Sequence, residues 1–469
     1  MVARASSAET AVVVVGGGPA GYTAAIRAAQ RDLDVTLVER ERYGGACLNH
    51  GCIPSKALIS ATDVAHRAAV GDVFGVSADP TVDLGEMVAW KDDIVRRLTG
   101  GVEKLCKANG VTLVEGTGTF LDGSTLEVTP DADGNDSELI VFEHAIIATG
   151  SRPIELPALP FDADGILSSR EGLALTEIPN ALAIVGAGYI GMELAGVYAK
   201  LGTEVTVVEM LDAILPGYDD SLTRPVARKA KDLDIRLRLD TTVEGFTRDE
   251  DGVVLHTSAE EDVIADAALV AVGREPVTDG LGLESLGIER TDQGSIPVDE
   301  EQRTDADRIF AIGDVTGDPM LAHVGMAEGI VASEMLAGNP ASIDRAVPEV
   351  VFTHPEIARV GLSPAEAEAR GYSPVQGEFP FRASGRAMTT NRTEGLVRLT
   401  ADAETGRILG GAIVGSEASE LIGEVGLAVE LGATLEDVEM TIHTHPTLSE
   451  AIHEAAAHAR GQAIHRLNR

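Results

Sequence analysis

Cys47 and Cys52 stand five residues apart in the run Gly45-Ala46-Cys47-Leu48-Asn49-His50-Gly51-Cys52-Ile53-Pro54-Ser55-Lys56. Two thiols so placed can cycle between dithiol and disulfide if a carrier takes up or supplies two electrons. A carrier site lies just upstream, where Gly16-Gly17-Gly18-Pro19-Ala20-Gly21 follows an apolar, strand-like stretch from Ala11 to Val15. Free cysteines are often small core residues, which would leave the pair inert; the neighbouring nucleotide signature favours redox work. The third cysteine, Cys106 in Val102-Glu103-Lys104-Leu105-Cys106, reads as part of an amphipathic helix, and three cysteines make no disulfide framework. A second candidate lies near the other end, in His443-Thr444-His445-Pro446-Thr447-Leu448-Ser449-Glu450. A histidine has the proton affinity of a base near neutral pH, and a nearby carboxylate can orient its ring. By residue type alone, a histidine ahead of proline reads as a turn residue.

The chain builds a nucleotide unit twice. Ala11 to Val15, the glycines, a helical stretch through Arg31 and Val35-Thr36-Leu37-Val38 end at Glu39. Leu182 to Val185, Gly186-Ala187-Gly188-Tyr189-Ile190-Gly191, a helix to about Leu201 and Val205-Thr206-Val207-Val208 end at Glu209. The spacing from Gly21 to Glu39 equals that from Gly191 to Glu209, as a βαβ dinucleotide fold requires for its ribose-binding acid. One such fingerprint is weak evidence; two with matching strands, helices and acids are strong. The glycines let the backbone approach a pyrophosphate at a helix N-terminus. Phe142 to Ile147, then Ala148-Thr149-Gly150, reads as a strand returning to the first unit; Ala268 to Val272, then Gly273-Arg274, repeats this for the second. Arg308 to Asp314 reads as a further strand with a carboxylate at its end. A composition shift near Ala346-Val347-Pro348 opens a final segment without a nucleotide signature. The expected fold class is α/β: two Rossmann-like dinucleotide-binding domains plus a C-terminal α+β domain.

The chain has 469 residues, a length suited to about three domains. Acidic residues number 75 against 37 basic ones, a net charge of −38, and only seven of the bases are lysines. No basic field exists to attract phosphates, which disfavours nucleic-acid binding. The acids are dispersed and apolar content is 44%, which argues against disorder. What remains is a folded protein with an anionic surface whose self-repulsion salt would screen, as in a highly saline cytoplasm. No apolar stretch approaches the ~20 residues of a membrane span. The leader Met1 to Thr10 carries Arg4 but no further export feature, so a cytoplasmic location is expected. No metal site is expected.

Together these motifs resemble the flavoprotein disulfide reductases, most closely their dihydrolipoamide dehydrogenase branch and its haloarchaeal members. The resemblance covers nearly the whole chain and rests on both glycine runs, Cys47 to Lys56, Ala148-Thr149-Gly150, Asp314 and His443 to Glu450. It implies FAD on the first unit, with Glu39 at the adenosine ribose and Asp314 near the ribityl chain. Gly45, Lys56, Gly118, Thr149, Gly150 and Met320-Leu321-Ala322-His323 join the implied flavin contacts. It implies a nicotinamide cofactor on the second unit, with Tyr189, Ile190, Val243, Gly273 and Arg274 among its contacts. Glu209 is followed by Met210, with no arginine near it in sequence, and a carboxylate accepts from a free 2′-hydroxyl but repels a phosphate; NAD is expected over NADP. Tyr189 resembles an aromatic that covers the flavin in some relatives, or else packs its helix. The implied division is 1–152 and 278–346 for the flavin domain, 153–277 for NAD and 347–469 for dimerisation.

The resemblance further implies that Cys47 exchanges with substrate sulfur, that Cys52 lies beside the flavin, and that Lys56 pairs with Glu193. It makes His445 the general base, oriented by Glu450, with His443 structural. Cysteines and base come from different subunits, so an obligatory homodimer is implied, oxidising free dihydrolipoamide or a lipoyl-bearing protein. One departure stands out: the family commonly has Lys-Ala after Ala322-His323, where this chain has Val324-Gly325. Glutathione-type reductases differ after the second cysteine, mercuric reductases add a terminal cysteine pair, and soluble transhydrogenases lack the thiol pair. Reduction of another low-molecular-weight disulfide and a non-catalytic FAD- and NAD-binding subunit are the alternatives.

Overall fold

The computed structural model describes residues 7–130, 137–250 and 252–468; Arg4 of the leader lies outside them. Val12 to Val15 are all buried, because helices cover one face of their sheet and other strands the opposite one. The strand Ser7–Val15 sits centrally in a seven-stranded sheet, parallel to Val35–Glu39 on one side and Glu138–Ile147 on the other. Ile309–Ala311 joins the same sheet beside Glu138–Ile147, which brings Asp314 next to the first glycine run. The expected strand from Arg308 to Asp314 is thus shorter, and a 3₁₀ turn over Gly313–Thr316 follows it.

The second unit repeats the first in its register. Val15 pairs with Val38 and Val185 with Val208, and the next glycine N–H in each case donates to the carbonyl of the paired valine at 2.8 Å. Its sheet has five parallel strands, with Ala181–Val185 between Glu204–Val208 and Ala267–Val270. The first glycine of each run takes a left-handed φ, +108° at Gly16 and +104° at Gly186. A Cβ at either would run into the carbonyl of Ala148 or Ala271, so only glycine fits where these strands turn into their helices. Where the two units meet, Ser151–Pro153 pairs antiparallel with Arg274–Pro276.

The segment beyond Pro348 folds as a five-stranded antiparallel sheet, ordered Glu349–Val351, Glu356–Gly361, Ile408–Gly415, Leu396–Asp402, Pro374–Pro380. The helices Ala418–Glu430 and Glu450–Ala459 pack on it through Ile422, Val425, Ile452 and Ala455. Among the described residues, no helix is long and apolar enough to cross a membrane.

Candidate active site

The thiols sit where two helices meet: Cys47 lies in Gly45–His50, and Cys52 opens Cys52–Ala69. Asn49 braces their approach, its amide donating to the carbonyls of Arg42, Tyr43 and Gly45. Both cysteines are free, and the Cys47 thiol donates a hydrogen bond to the Cys52 sulfur. That bond leads in lowering Cys52 to about 7; enclosure in the cavity wall opposes it, and the Lys56 ammonium one turn along the helix adds to it. The same bond, then burial, pushes the Cys47 thiol up. Negative charge therefore settles on Cys52.

Lys56 Nζ lies 2.8 Å from Glu193 Oε2, and Glu193 is almost fully buried. A buried carboxylate is costly unless paired and hydrogen-bonded. Its second oxygen, Oε1, accepts from the Phe352 N–H at 2.9 Å. Phe352 was not expected from sequence, since it comes from a segment far along the chain with no motif of its own.

One cavity gathers most of the expected flavin contacts. Its wall includes Glu39, then Gly16, Gly18, Pro19 and Ala20, then Gly45, Cys47, Cys52 and Lys56, and finally Thr149, Gly150, Asp314, Met320, Leu321 and Ala322. Helix Pro19–Ala29 has no side-chain cap at Gly18, so its first N–H groups are left for an anion. Glu39 is held in place: Oε2 accepts from the Gly17 N–H at 2.6 Å and Oε1 from the Glu41 N–H at 2.8 Å. A carboxylate for ribose, an open helix start for pyrophosphate, Asp314 for a polyol and thiols for a redox ring form the donor set that FAD needs. Asp314 Oδ2 also accepts from Ser151 Oγ at 2.5 Å, and Arg274 Nε donates to that hydroxyl at 2.8 Å. Ser151 thus ties a residue of each nucleotide unit together, a role its position in sequence did not signal.

The second fingerprint repeats the held carboxylate. Glu209 accepts from the Ala187 N–H at 2.7 Å and the Leu211 N–H at 2.9 Å. Helix Tyr189–Lys200 likewise lacks a side-chain cap, at Gly188. An arginine is close in space although not in sequence: Arg238, on the adjoining strand, pairs with Val208. Its guanidinium is occupied, donating to the Glu261 carbonyl at 2.7 Å. Tyr189, Ile190, Glu193 and Arg274 line the flavin cavity, and Tyr189 faces that cavity rather than the core.

Several expected contacts stand elsewhere. Gly21 and Gly191 are off the cavity wall; a Cβ on either would strike the carbonyl of Gly16 or Gly186, so these glycines close helix onto strand. Gly186, Gly188, Gly273 and Glu209 lie beyond the flavin cavity. Gly118 lies within Thr117–Asp122 and packs against Val15 and Leu126. Val243 opens the antiparallel strand Val243–Asp249, paired with Thr257, and His323 bonds the Pro348 carbonyl at 2.8 Å; neither is on the cavity wall. His445 and Glu450 are joined at 2.8 Å through Nδ1 and Oε1, but His445 is 80% exposed and away from the cysteines' cavity. Burial pushes Glu450 up, yet the Thr447 N–H and His445 together hold its carboxyl below the ordinary range. His443 is bound to Glu424 at 2.7 Å.

Residues 10–329 match the family described as pyridine nucleotide-disulphide oxidoreductase, and residues 347–456 match the dimerisation domain of that family. The chain belongs to the pyridine nucleotide-disulphide oxidoreductases. It is 56% identical to a dihydrolipoyl dehydrogenase of Halobacterium salinarum across 100% of both chains. It is also 56% identical to a dihydrolipoyl dehydrogenase 2 of Haloarcula marismortui, over 97% of this chain and 98% of that one. The crystal structure of LpdA from Mycobacterium tuberculosis superposes with a TM-score of 0.90 at 30% identity, covering 95% of this chain and 99% of that one. This member of the family is an oxidoreductase that works with FAD and NAD, and its fold is that of the flavoprotein disulfide reductases with a dimerisation domain. The Val324-Gly325 departure has a packing cause in part. A Cβ at Gly325 would come within 3.0 Å of Ala20 Cβ and 3.1 Å of Gly313 Cα, so glycine there lets the helix Ala322–Leu336 lie a few tenths of an ångström closer to the first fingerprint helix than a methyl group would.

Proposed function

We propose that the chain is a dihydrolipoyl dehydrogenase: it oxidises dihydrolipoyl groups to lipoyl through a Cys47–Cys52 couple and reduces NAD to NADH. One observation carries this reading: Cys47 and Cys52 share one cavity wall with the first fingerprint's uncapped helix start, Asp314 and Lys56. A substrate thiolate attacks Cys47 of the disulfide, forming a substrate–Cys47 bond and releasing Cys52 as thiolate. The second substrate thiol then attacks the substrate sulfur of that mixed disulfide, closing the lipoyl ring and freeing the Cys47 sulfur. Two electrons have passed from substrate to the cysteines. FAD, when bound, supplies their path from the cysteines to NAD. His445 takes the substrate protons, and Glu450 orients its ring and steadies the imidazolium.

His445 acts on the cysteines of a second copy, so the working unit is a homodimer. Supporting this, the residues around it include Met440 at 74% exposure and Ile442 at 96%, apolar side chains that another subunit would cover. The acidic surface fits a saline cytoplasm. The substrate is free dihydrolipoamide or the same group carried on a protein. The test is a steady-state assay of dihydrolipoamide oxidation with NAD and with NADP, in several molar potassium chloride and in dilute buffer. We expect turnover with NAD in high salt, a preference over NADP of ~100-fold or more because Glu209 faces a like charge, and loss of activity as screening is withdrawn. No dihydrolipoamide turnover in any salt would overturn the assignment.

A further inference from the structure

The Lys56–Glu193 pair is held from outside the nucleotide units. Phe352 lies one residue beyond Glu349–Val351, at the start of the antiparallel domain, and touches both charges. Its backbone N–H occupies Glu193 Oε1 at 2.9 Å, and its ring stands 4.5 Å from Lys56 Nζ at the centroid. An ammonium over a ring face is attracted by the electron density of that face. With Glu193 Oε2 at 2.8 Å as well, the ammonium contacts both a carboxylate and the ring.

We infer that Phe352 is a positioning residue for the redox centre, its ring fixing the Lys56 ammonium beside Cys52 so that docking of the C-terminal domain sets the acidity of that thiol. The inference rests on the reading of Cys47 and Cys52 as the redox couple. The groups that act on Cys52 are Cys47, Lys56 on its own helix, and Glu193 and Tyr189 from helix Tyr189–Lys200. Of these only Lys56 stabilises the thiolate by charge, so a displaced ammonium moves Cys52 in one direction, upward.

The experiment is a pH titration of the reduced, flavin-loaded enzyme, following the long-wavelength thiolate-to-flavin absorbance. Phe352→Leu should raise its midpoint by up to about half a unit, the limit set by the whole energy of a partly exposed cation–ring contact, and Phe352→Tyr should restore it. Should the leucine variant fold poorly, site-specific 4-fluoro- and pentafluorophenylalanine at position 352 keep the shape while draining the ring face. The midpoint should then climb with fluorine count. A midpoint indifferent to the ring in the folded variants would overturn the inference while leaving the couple intact. Absence of the band in the unaltered enzyme would instead remove the couple itself.

Discussion

At the residue scale, the two cysteines are chemically unequal although their sequence context is nearly shared. The hydrogen bond from Cys47, together with Lys56, brings Cys52 to about 7, below the usual thiol value, while Cys47 is pushed up. The sign follows: a depressed pKa favours the thiolate in the folded protein, a contribution present above the ordinary thiol value and lost as pH falls through about 7. The thiolate absorbance should therefore fade on acidification around neutrality. On the proposed function, Cys47→Ser removes the sulfur that exchanges with substrate but none of the cavity's anion-binding groups. Dihydrolipoamide oxidation should vanish, flavin content should stay stoichiometric, and the band should be present without added reductant. Normal turnover by this variant would end the assignment of Cys47. The cysteines and the two acids that end the nucleotide units were legible in sequence because each follows from residue type at a fixed local spacing, and Lys56 came from the family resemblance. Phe352, Ser151 and Arg238 were not, because each reaches its partner across more than a hundred residues or a strand register that no local pattern encodes.

At the scale of elements, the flavin cavity depends on how closely two helices approach. Pro19–Ala29 and Ala322–Leu336 pack with Ala20 against Gly325, where a second methyl group would stand only 3.0 Å from the first unless the helices part by a few tenths of an ångström. Gly325→Ala should overpack this contact and destabilise the flavin-loaded protein by ~1–3 kcal/mol. Adding Ala20→Gly returns the lost space, so the double variant should be more stable than the sum of its single effects, by ~0.5–3 kcal/mol. Thermal unfolding of the four proteins measures this. Strict additivity would show that the glycine answers to something other than Ala20. The repeat of strand, glycine run, helix and acid was readable because hydrophobic runs and glycines mark it at a constant spacing. This helix contact was not, because nothing in Val324-Gly325 alone reveals which surface it meets.

For the whole molecule, the decisive question is which chain completes the site. Within one chain Cys47 lines the flavin cavity while His445 projects outward from the C-terminal domain, with exposed apolar side chains nearby. A homodimer related by a two-fold axis would place each histidine against the other chain's cysteines, giving two equivalent composite sites. Complementation tests that arrangement directly. His445→Gln alone should lose a general base, lowering turnover by ~10²–10⁴-fold, and Cys47→Ser alone should be inactive. Co-expressed under different tags, the two inactive chains form a heterodimer in which one site inherits an intact cysteine pair from one chain and an intact histidine from the other. The doubly tagged species, purified and assayed in several molar potassium chloride, should recover about half of the wild-type activity, one competent site of two. If base and thiols belonged to the same chain, every site in that heterodimer would carry one lesion or the other, and mixing would restore nothing.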